Sequence, residues 1–148
     1  MGSYTLDKAY AIDEPNGVGA YRVVTHGECV GQATLPRMVN MTGILGVTIH
    51  SQSRQGGHVA VRKAGIARVT AAGKIDLGAP VCVEKGTGKI KMLDDGDQHV
   101  ECLGYAETPA GCDGDICEVF IQIHQRTMIS PRLAHTLDQL ALEHDRYA

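Results

Sequence analysis

The fold is decided by six short runs of sequence: GILGVTIH (43–50), HVAVRKAGIARVTA (58–71), PVCVE (80–84), KIKML (89–93), HVECLGYAE (99–107) and DICEVFIQIH (115–124). Each run is rich in β-branched residues or alternates apolar with polar residues, and turn-forming clusters of Gly, Asp and Lys separate them. Short strands spaced by turn signals predict a compact β-barrel or sandwich. We therefore expect a mainly β protein.

The last run shows the clearest alternation. Apolar residues at every second position predict one buried strand face made of Cys117, Val119, Ile121 and Ile123. The opposite face is predicted to be exposed, and it carries Glu118, Phe120, Gln122 and His124.

A weak internal repeat links the first and second halves of these runs. Leu45-Gly46 recurs as Leu103-Gly104, a separation of 58 positions (103 − 45). The same separation pairs Gly56 with Gly114, Val59 with Cys117 and Val61 with Val119. Two units of strand, glycine turn and strand predict a pseudo-symmetric β-core, and chance similarity between hairpins is the alternative.

The flanks differ from this core, which we assign to residues 18–125 as one domain. Residues 1–17 are polar and end in a Pro15-Asn16-Gly17 break, which predicts an extended N-terminal arm. Four apolar side chains in the arm lie at even spacings and would share one face of an extended strand: Tyr4, Leu6, Tyr10 and Ile12. They could bind a partner, or the arm could be a frayed terminus.

The tail, residues 126–148, has helical periodicity. Ser130-Pro131 is typical of a helix start and predicts a helix over 131–146. Its apolar stripe consists of Leu133, Leu137, Leu140 and Ala141. The stripe is expected to dock either on its own β-core or on a neighbouring subunit.

Composition restricts the partners. The net charge is −3 and no cluster of Lys or Arg is present, which argues against direct nucleic-acid binding. No apolar run has the length of a membrane span, and the N-terminus does not resemble a secretion signal. The odd count of five cysteines favours synthesis in a reducing cytoplasm.

No motif predicts catalysis or a cofactor. The run Gly86-Thr87-Gly88-Lys89 lacks the spacing of a phosphate-binding loop and indicates a hairpin turn. No CxxC, HxxxH or GxSxG pattern occurs, so we predict no catalytic residue, no metal ligand and no cofactor.

The cysteines divide into two groups. Cys82, Cys102 and Cys117 lie in apolar strands and are predicted to be buried and reduced. Cys29 and Cys112 lie in loop-like sequence and are predicted to be accessible, where they could form a disulfide between subunits in a released particle.

The order of motifs over residues 43–124 resembles the capsid cement, or head decoration, proteins of tailed bacteriophages. The elements that carry this resemblance are Leu45-Gly46-Val47, Val59 to Val69, Ile75 to Val81, Gly88-Lys89, Leu103-Gly104 and Gly114 to Val119. The five cysteines and the helical tail depart from the common pattern of that family.

The resemblance implies a non-enzymatic structural protein, made in the bacterial host cytoplasm, on the outer surface of a virion head. Its partners would be the major capsid protein, whose subunits it bridges to stabilise the expanded shell, and further copies of itself. A homotrimer is expected, although dimeric cement proteins exist. In this interpretation the arm residues Tyr4, Leu6, Tyr10 and Ile12 bind the capsid.

Two other classes stay open at this stage. The first is an enzyme or an accessory domain with a β-barrel core, which would need a convergent polar pocket. The second is an adhesive or carbohydrate-binding domain on a virion, for which the scarcity of aromatic residues provides few stacking surfaces.

Overall fold

The computed structural model describes residues 4–37, 43–93 and 99–127, and every regular element in these ranges is a β-strand. In chain order the strands are β1 (Leu6–Ile12), β2 (Val23–His26), β3 (Gln32–Thr34), β4 (Ile44–Thr48), β5 (His58–Ala64), β6 (Ile66–Thr70), β7 (Pro80–Val83), β8 (Ile90–Met92), β9 (His99–Ala106) and β10 (Ile116–Thr127). The prediction of a mainly β fold is confirmed. Within these ranges no helix has the length and apolar character needed to cross a membrane.

The first unit, β1 to β5, is a closed barrel with the strand order β1-β3-β2-β4-β5. Closure depends on β1, which pairs with β5 in antiparallel orientation and with β3 in parallel orientation. Alternate residues of the strands point inward, and the interior of the barrel is filled by Tyr10, Ile12, Val18, Val24, Ala33, Leu45, Val59 and Val61.

The second unit, β6 to β10, is a sheet with the order β6-β10-β9-β7-β8. A single parallel bridge between Ala71 and Ile90 joins the two outer ends of this sheet. It corresponds to the parallel pairing of β1 with β3 that closes the first barrel. The second unit is therefore the same barrel, closed at one point only.

The strand register shows that the internal repeat is structural. Thr48 lies opposite Val61 in the first unit, and Ala106 lies opposite Val119 in the second. Ala106 follows Thr48 by 58 positions (106 − 48), and Val119 follows Val61 by 58 positions (119 − 61). This is the separation seen in the sequence repeat. Each unit also has a register shift at the equivalent point: the pairing of β2 with β4 shifts after Val24, and the pairing of β7 with β9 shifts after Val81.

The repeated glycines, Gly46 and Gly104, allow the paired strands to approach closely. A Cβ atom at Gly46 would lie 2.0 Å from the carbonyl oxygen of Arg62, and one at Gly104 would lie 1.9 Å from that of Phe120. Phe120 is the counterpart of Arg62 in the repeat. Any side chain at either glycine would collide with backbone, which explains why both units have Leu-Gly at this position.

The outer face of β2 and β4 packs against the open side of the second unit. Val23, Ile44 and Val47 belong to the hydrophobic cluster of the second unit and not to their own barrel. Two hydrogen bonds reinforce the junction, from the Thr70 N–H to the Tyr21 carbonyl (2.9 Å) and from the Val23 N–H to the Gly88 carbonyl (2.8 Å). Burial of each apolar side chain contributes about 1.5–3 kcal/mol, so these three residues join the units firmly.

The alternation in β10 holds only as far as Ile121. Cys117, Val119 and Ile121 are buried as predicted, but Ile123 is 41% exposed. The register with β9 shifts between Ile121 and His124, where one extra residue of β10 forms a bulge. Ile123 lies in this irregular stretch and outside the hydrophobic cluster, so the prediction that it is buried was wrong.

The predicted N-terminal arm is not separate from the core. Residues 6–12 form β1, and Tyr10 and Ile12 are almost completely buried inside the first barrel. The even spacing did indicate a strand, but this strand pairs with the chain's own β5 and β3, and its apolar face fills the barrel interior. The predicted C-terminal helix, with Leu133, Leu137, Leu140 and Ala141, lies outside the described residues.

Candidate functional site

A row of apolar side chains crosses the outer face of the second unit. Phe120 points outward, since its neighbours Val119 and Ile121 point into the core. Ile66 on β6 and Tyr105 on β9 lie directly opposite Phe120, and Pro80 on β7 lies opposite Tyr105. We call Ile66, Phe120, Tyr105 and Pro80 the apolar row.

The apolar row is accessible to solvent. Phe120, the only phenylalanine of the chain, is 43% exposed and Ile66 is 38% exposed, while Tyr105 and Pro80 are half-buried. Aromatic side chains dominate the energetics of protein interfaces, because each buries a large area at low cost in conformational entropy. Two of the chain's six aromatic residues lie in this row.

A polar cluster borders the row at Tyr105. The rings of Tyr105 and His124 stack with centroids 5.3 Å apart and an angle of 9° between planes. Arg126 donates hydrogen bonds to the Tyr105 hydroxyl (3.1 Å) and to Nε2 of His124 (3.0 Å). His124 and Arg126 lie on β10 beyond the register shift, on the same face as Phe120. These contacts hold the tyrosine ring in one orientation.

A cleft of about 360 Å³ lies between the two units at the other end of the row. It is lined by Tyr21, Ile49, Arg62, Ile66, Ala67, Arg68 and Glu118. Arg68 and Glu118 are cross-strand partners of opposite charge. This lining includes no Ser, Cys or His, so the described residues of the cleft offer no nucleophile paired with a base.

Tyr21 adopts a left-handed backbone conformation with φ of 62°, unlike any other non-glycine residue in the described ranges. Its counterpart in the second unit is Gly78, with φ of 78°; the N–H groups of both donate to equivalent carbonyls, those of Thr48 and Ala106. The left-handed region costs a side chain about 1–2 kcal/mol. Tyr21 adopts this conformation at the junction between the units, where its carbonyl accepts the hydrogen bond from the Thr70 N–H.

A second cleft, of about 460 Å³, lies at the ends of β2 and β3. Its lining is polar and consists of Asp13, Thr25, His26, Gly27, Glu28, Thr34 and Arg37. Within the described ranges no three His, Cys, Asp or Glu side chains are placed to hold a metal ion together. The Thr25 hydroxyl lies within hydrogen-bond distance of the Thr34 hydroxyl and carbonyl, so it serves the pairing of the two strands.

Of the four residues predicted to bind the capsid, two are exposed and two are buried. Tyr4 is 96% exposed and Leu6 is 58% exposed, so both can reach a partner. Tyr10 and Ile12 face the barrel interior and cannot do so without unfolding it. Of these four residues, only Tyr4 and Leu6 stay candidates for a capsid contact.

The cysteines lie where their sequence context predicted. Cys82, Cys102 and Cys117 are buried, and burial raises the pKa of the Cys117 thiol to about 11. Cys29 and Cys112 are exposed, in turns of different units. A disulfide between subunits stays a prediction.

A carboxylate controls the environment of Cys112. The Cys112 thiol donates a 3.5 Å hydrogen bond to Asp115, and this bond raises the pKa of the thiol. The Gly111 and Cys112 N–H groups donate to the same carboxylate and lower the pKa of Asp115. Cys112 is therefore accessible but less acidic than an ordinary cysteine.

Sequence reasoning did not identify the apolar row, although one signal for it was present. The single phenylalanine was predicted on the polar, exposed face of the last strand, together with Glu118 and Gln122. A large aromatic residue on a solvent face indicates an interaction site only when other exposed apolar side chains lie beside it. Its neighbours Ile66, Tyr105 and Pro80 come from three other strands, so only the strand register brings them together.

The fold defines a class of β-protein built from a closed five-stranded barrel followed by a related five-stranded sheet. No protein-family model matches this chain, and no curated protein matches it. Among solved structures it is similar to the N base of head fiber gp8.5 in bacteriophage phi29, with a TM-score of 0.58 and 17% sequence identity. The match covers 86% of this chain and 99% of that chain, and at this identity it shows a shared fold.

Proposed function

We propose that this chain is a structural protein of a tailed-phage head, a decoration protein that binds the outer surface of the shell. The observation that carries the proposal is the fold shared with the phi29 head fiber base over 99% of that chain. The motif order of residues 43–124, which resembles head decoration proteins, supports the same role independently of the fold comparison.

The architecture suits a structural protein that reinforces a shell. The first unit is a closed barrel, and closure removes the free strand edges at which proteins aggregate. The buried junction between the units joins them through a shared hydrophobic cluster, which suits a protein that bridges major capsid protein subunits. In this role the chain uses no cofactor and catalyses no reaction.

The exposed start of the chain is the proposed capsid contact. Tyr4 and Leu6 are the two residues of the predicted contact that remain accessible; Tyr4 precedes β1, the strand that closes the first barrel, and Leu6 is its first residue. An aromatic and an aliphatic side chain in front of a rigid barrel can fill pockets on the shell without disturbing the fold.

The test is binding to purified expanded heads that lack the protein. The double variant Tyr4→Ser/Leu6→Ser should fold normally, because neither side chain lies in a core cluster, and should bind heads at least about 30-fold more weakly if it removes an interface hot spot. The matched control is Leu77→Ser, which changes an exposed apolar side chain in a turn of the second unit. Wild-type protein that does not bind heads at all would refute the proposed function; unchanged binding of the double variant would refute only this contact.

A further inference from the structure

The two units of the repeat use the same outer face differently. The positions equivalent to Tyr105 and Pro80 in the first unit are Val47 and Val23, which are paired in the same way. Val47 and Val23 are completely buried, because the second unit packs on them. In the first unit this part of the face is therefore a docking surface for another barrel of the same kind.

The other half of the row differs in chemistry between the units. Where the second unit pairs Ile66 with Phe120, the first unit pairs Asp7 with Arg62 at the same register positions. Asp7 and Arg62 form a salt bridge with an Nε–Oδ1 distance of 3.0 Å and a second bond from Nη2 to Oδ2 of 3.2 Å. A two-bond ion pair suits a water-exposed position, whereas an exposed Ile-Phe pair leaves apolar area in water.

We infer that the apolar row is an interface with a second copy of this chain. The row of positions that partly holds the second unit in the first unit is apolar along its whole length in the second unit, yet the described ranges contain no third unit to cover it. A second copy of this chain carries the same apolar row, so two rows that face each other would cover one another. The inference does not depend on the proposed function, since it concerns self-association in solution.

The surroundings of the row fit an interface between proteins. Arg68 and Glu118 lie on one side of Phe120, and the cluster of His124 and Arg126 lies on the other. An apolar centre enclosed by polar and charged groups is the usual arrangement, because the rim excludes water while the centre provides affinity. The hydrogen bonds to Tyr105 also keep its ring in place before binding, which lowers the entropy lost on association.

The test transfers the ion pair of the first unit to the second. The double variant Ile66→Asp/Phe120→Arg places the Asp-Arg pair at the same strand register, leaves the net charge unchanged and removes the centre of the row. Analytical ultracentrifugation over a concentration series should show an oligomer for the wild type. The variant should sediment as a single chain of 15.8 kDa, with self-association weakened at least about 30-fold.

The matched control is Val30→Arg/Leu77→Asp, which makes the same exchange at two exposed apolar residues outside the row. It should associate like the wild type. A wild-type protein that sediments as a single chain at every concentration overturns the inference, as does a variant that associates as strongly as the wild type.

A second experiment covers the case in which the double variant fails to fold. A photo-reactive phenylalanine analogue at position 120, in an otherwise unchanged chain, should give a crosslinked band containing two copies. Absence of that band overturns the inference. Binding of the double variant to heads separates the two proposals: a single chain that still binds shows that the row serves self-association, and the capsid contact lies elsewhere.

Discussion

Replacement of Gly104 by alanine tests whether β9 and β10 approach as closely as the structure shows. The added methyl carbon would lie 1.9 Å from the carbonyl oxygen of Phe120 and 2.9 Å from the backbone nitrogen of Gln122. Both are backbone atoms of β10, so no side-chain rotation relieves the collision and the strands must separate. Overpacking usually costs 1–3 kcal/mol, and we expect about 3 kcal/mol here because only backbone can move.

That loss is large beside the total stability of a domain, which is about 5–15 kcal/mol. For a chain of this size it corresponds to a fall of about 10 °C in Tm. Urea unfolding and calorimetry measure both quantities. The control is Gly73→Ala, where no heavy atom lies within 4 Å and the result should be neutral or slightly stabilising. If Gly104→Ala unfolds within about 0.5 kcal/mol of the wild type, the close approach of the strands is wrong.

Further predictions concern the start of the first unit, the cysteines and Asp115. Deletion of residues 2–14 removes β1, so the first barrel should lose its cooperative unfolding and its dispersed amide NMR signals; a fully folded truncated protein would contradict the role of β1 in closure. At mildly alkaline pH a thiol reagent followed by mass spectrometry should modify Cys29 before Cys112, because the Asp115 hydrogen bond raises the pKa of Cys112, and should leave Cys117 unmodified, because burial raises its pKa to about 11. Asp115→Asn should accelerate the reaction of Cys112, and equal rates in the two proteins would reject the hydrogen bond. In an NMR titration Asp115 should show a pKa below 3.8; the stability it adds is present above the unfolded pKa and is lost as the pH falls through the lowered folded value.

The repeat gives one chain two versions of the same surface. At the positions of Val23 and Val47 the first unit buries apolar side chains against the second unit. At the corresponding positions the second unit has Pro80 and Tyr105, which remain accessible. Both units share strand order and register, so the difference in burial between these faces comes from what each face contacts and not from how each unit folds.

Strand positions and turns could be predicted from local sequence. A strand buries one face when its apolar residues alternate, and a turn needs residues such as glycine that tolerate unusual backbone angles, so both leave short-range patterns. The burial of Cys117 and Val119 and the structural repeat between Leu45-Gly46 and Leu103-Gly104 followed from such patterns. The mainly β class was determined at this level.

Three features depended on contacts between residues far apart in the chain. The even spacing of Tyr10 and Ile12 indicated an extended strand, but no local pattern shows whether that strand pairs with a partner or with β5 of its own barrel. The bulge that exposes Ile123 arises from the register with β9. The apolar row joins Ile66 to Phe120 across a ladder whose alignment is set by packing of the whole core.

The sequence by itself therefore determined that this protein is made of short, one-sided strands in two related units, because side-chain alternation and turn chemistry are local. Only the tertiary structure decided which faces were covered. The first unit buries Val23 and Val47, while the second leaves Phe120 in solvent. This difference depends on the pairing of distant strands and on how the two units pack together, and neither produces a periodic pattern in the sequence.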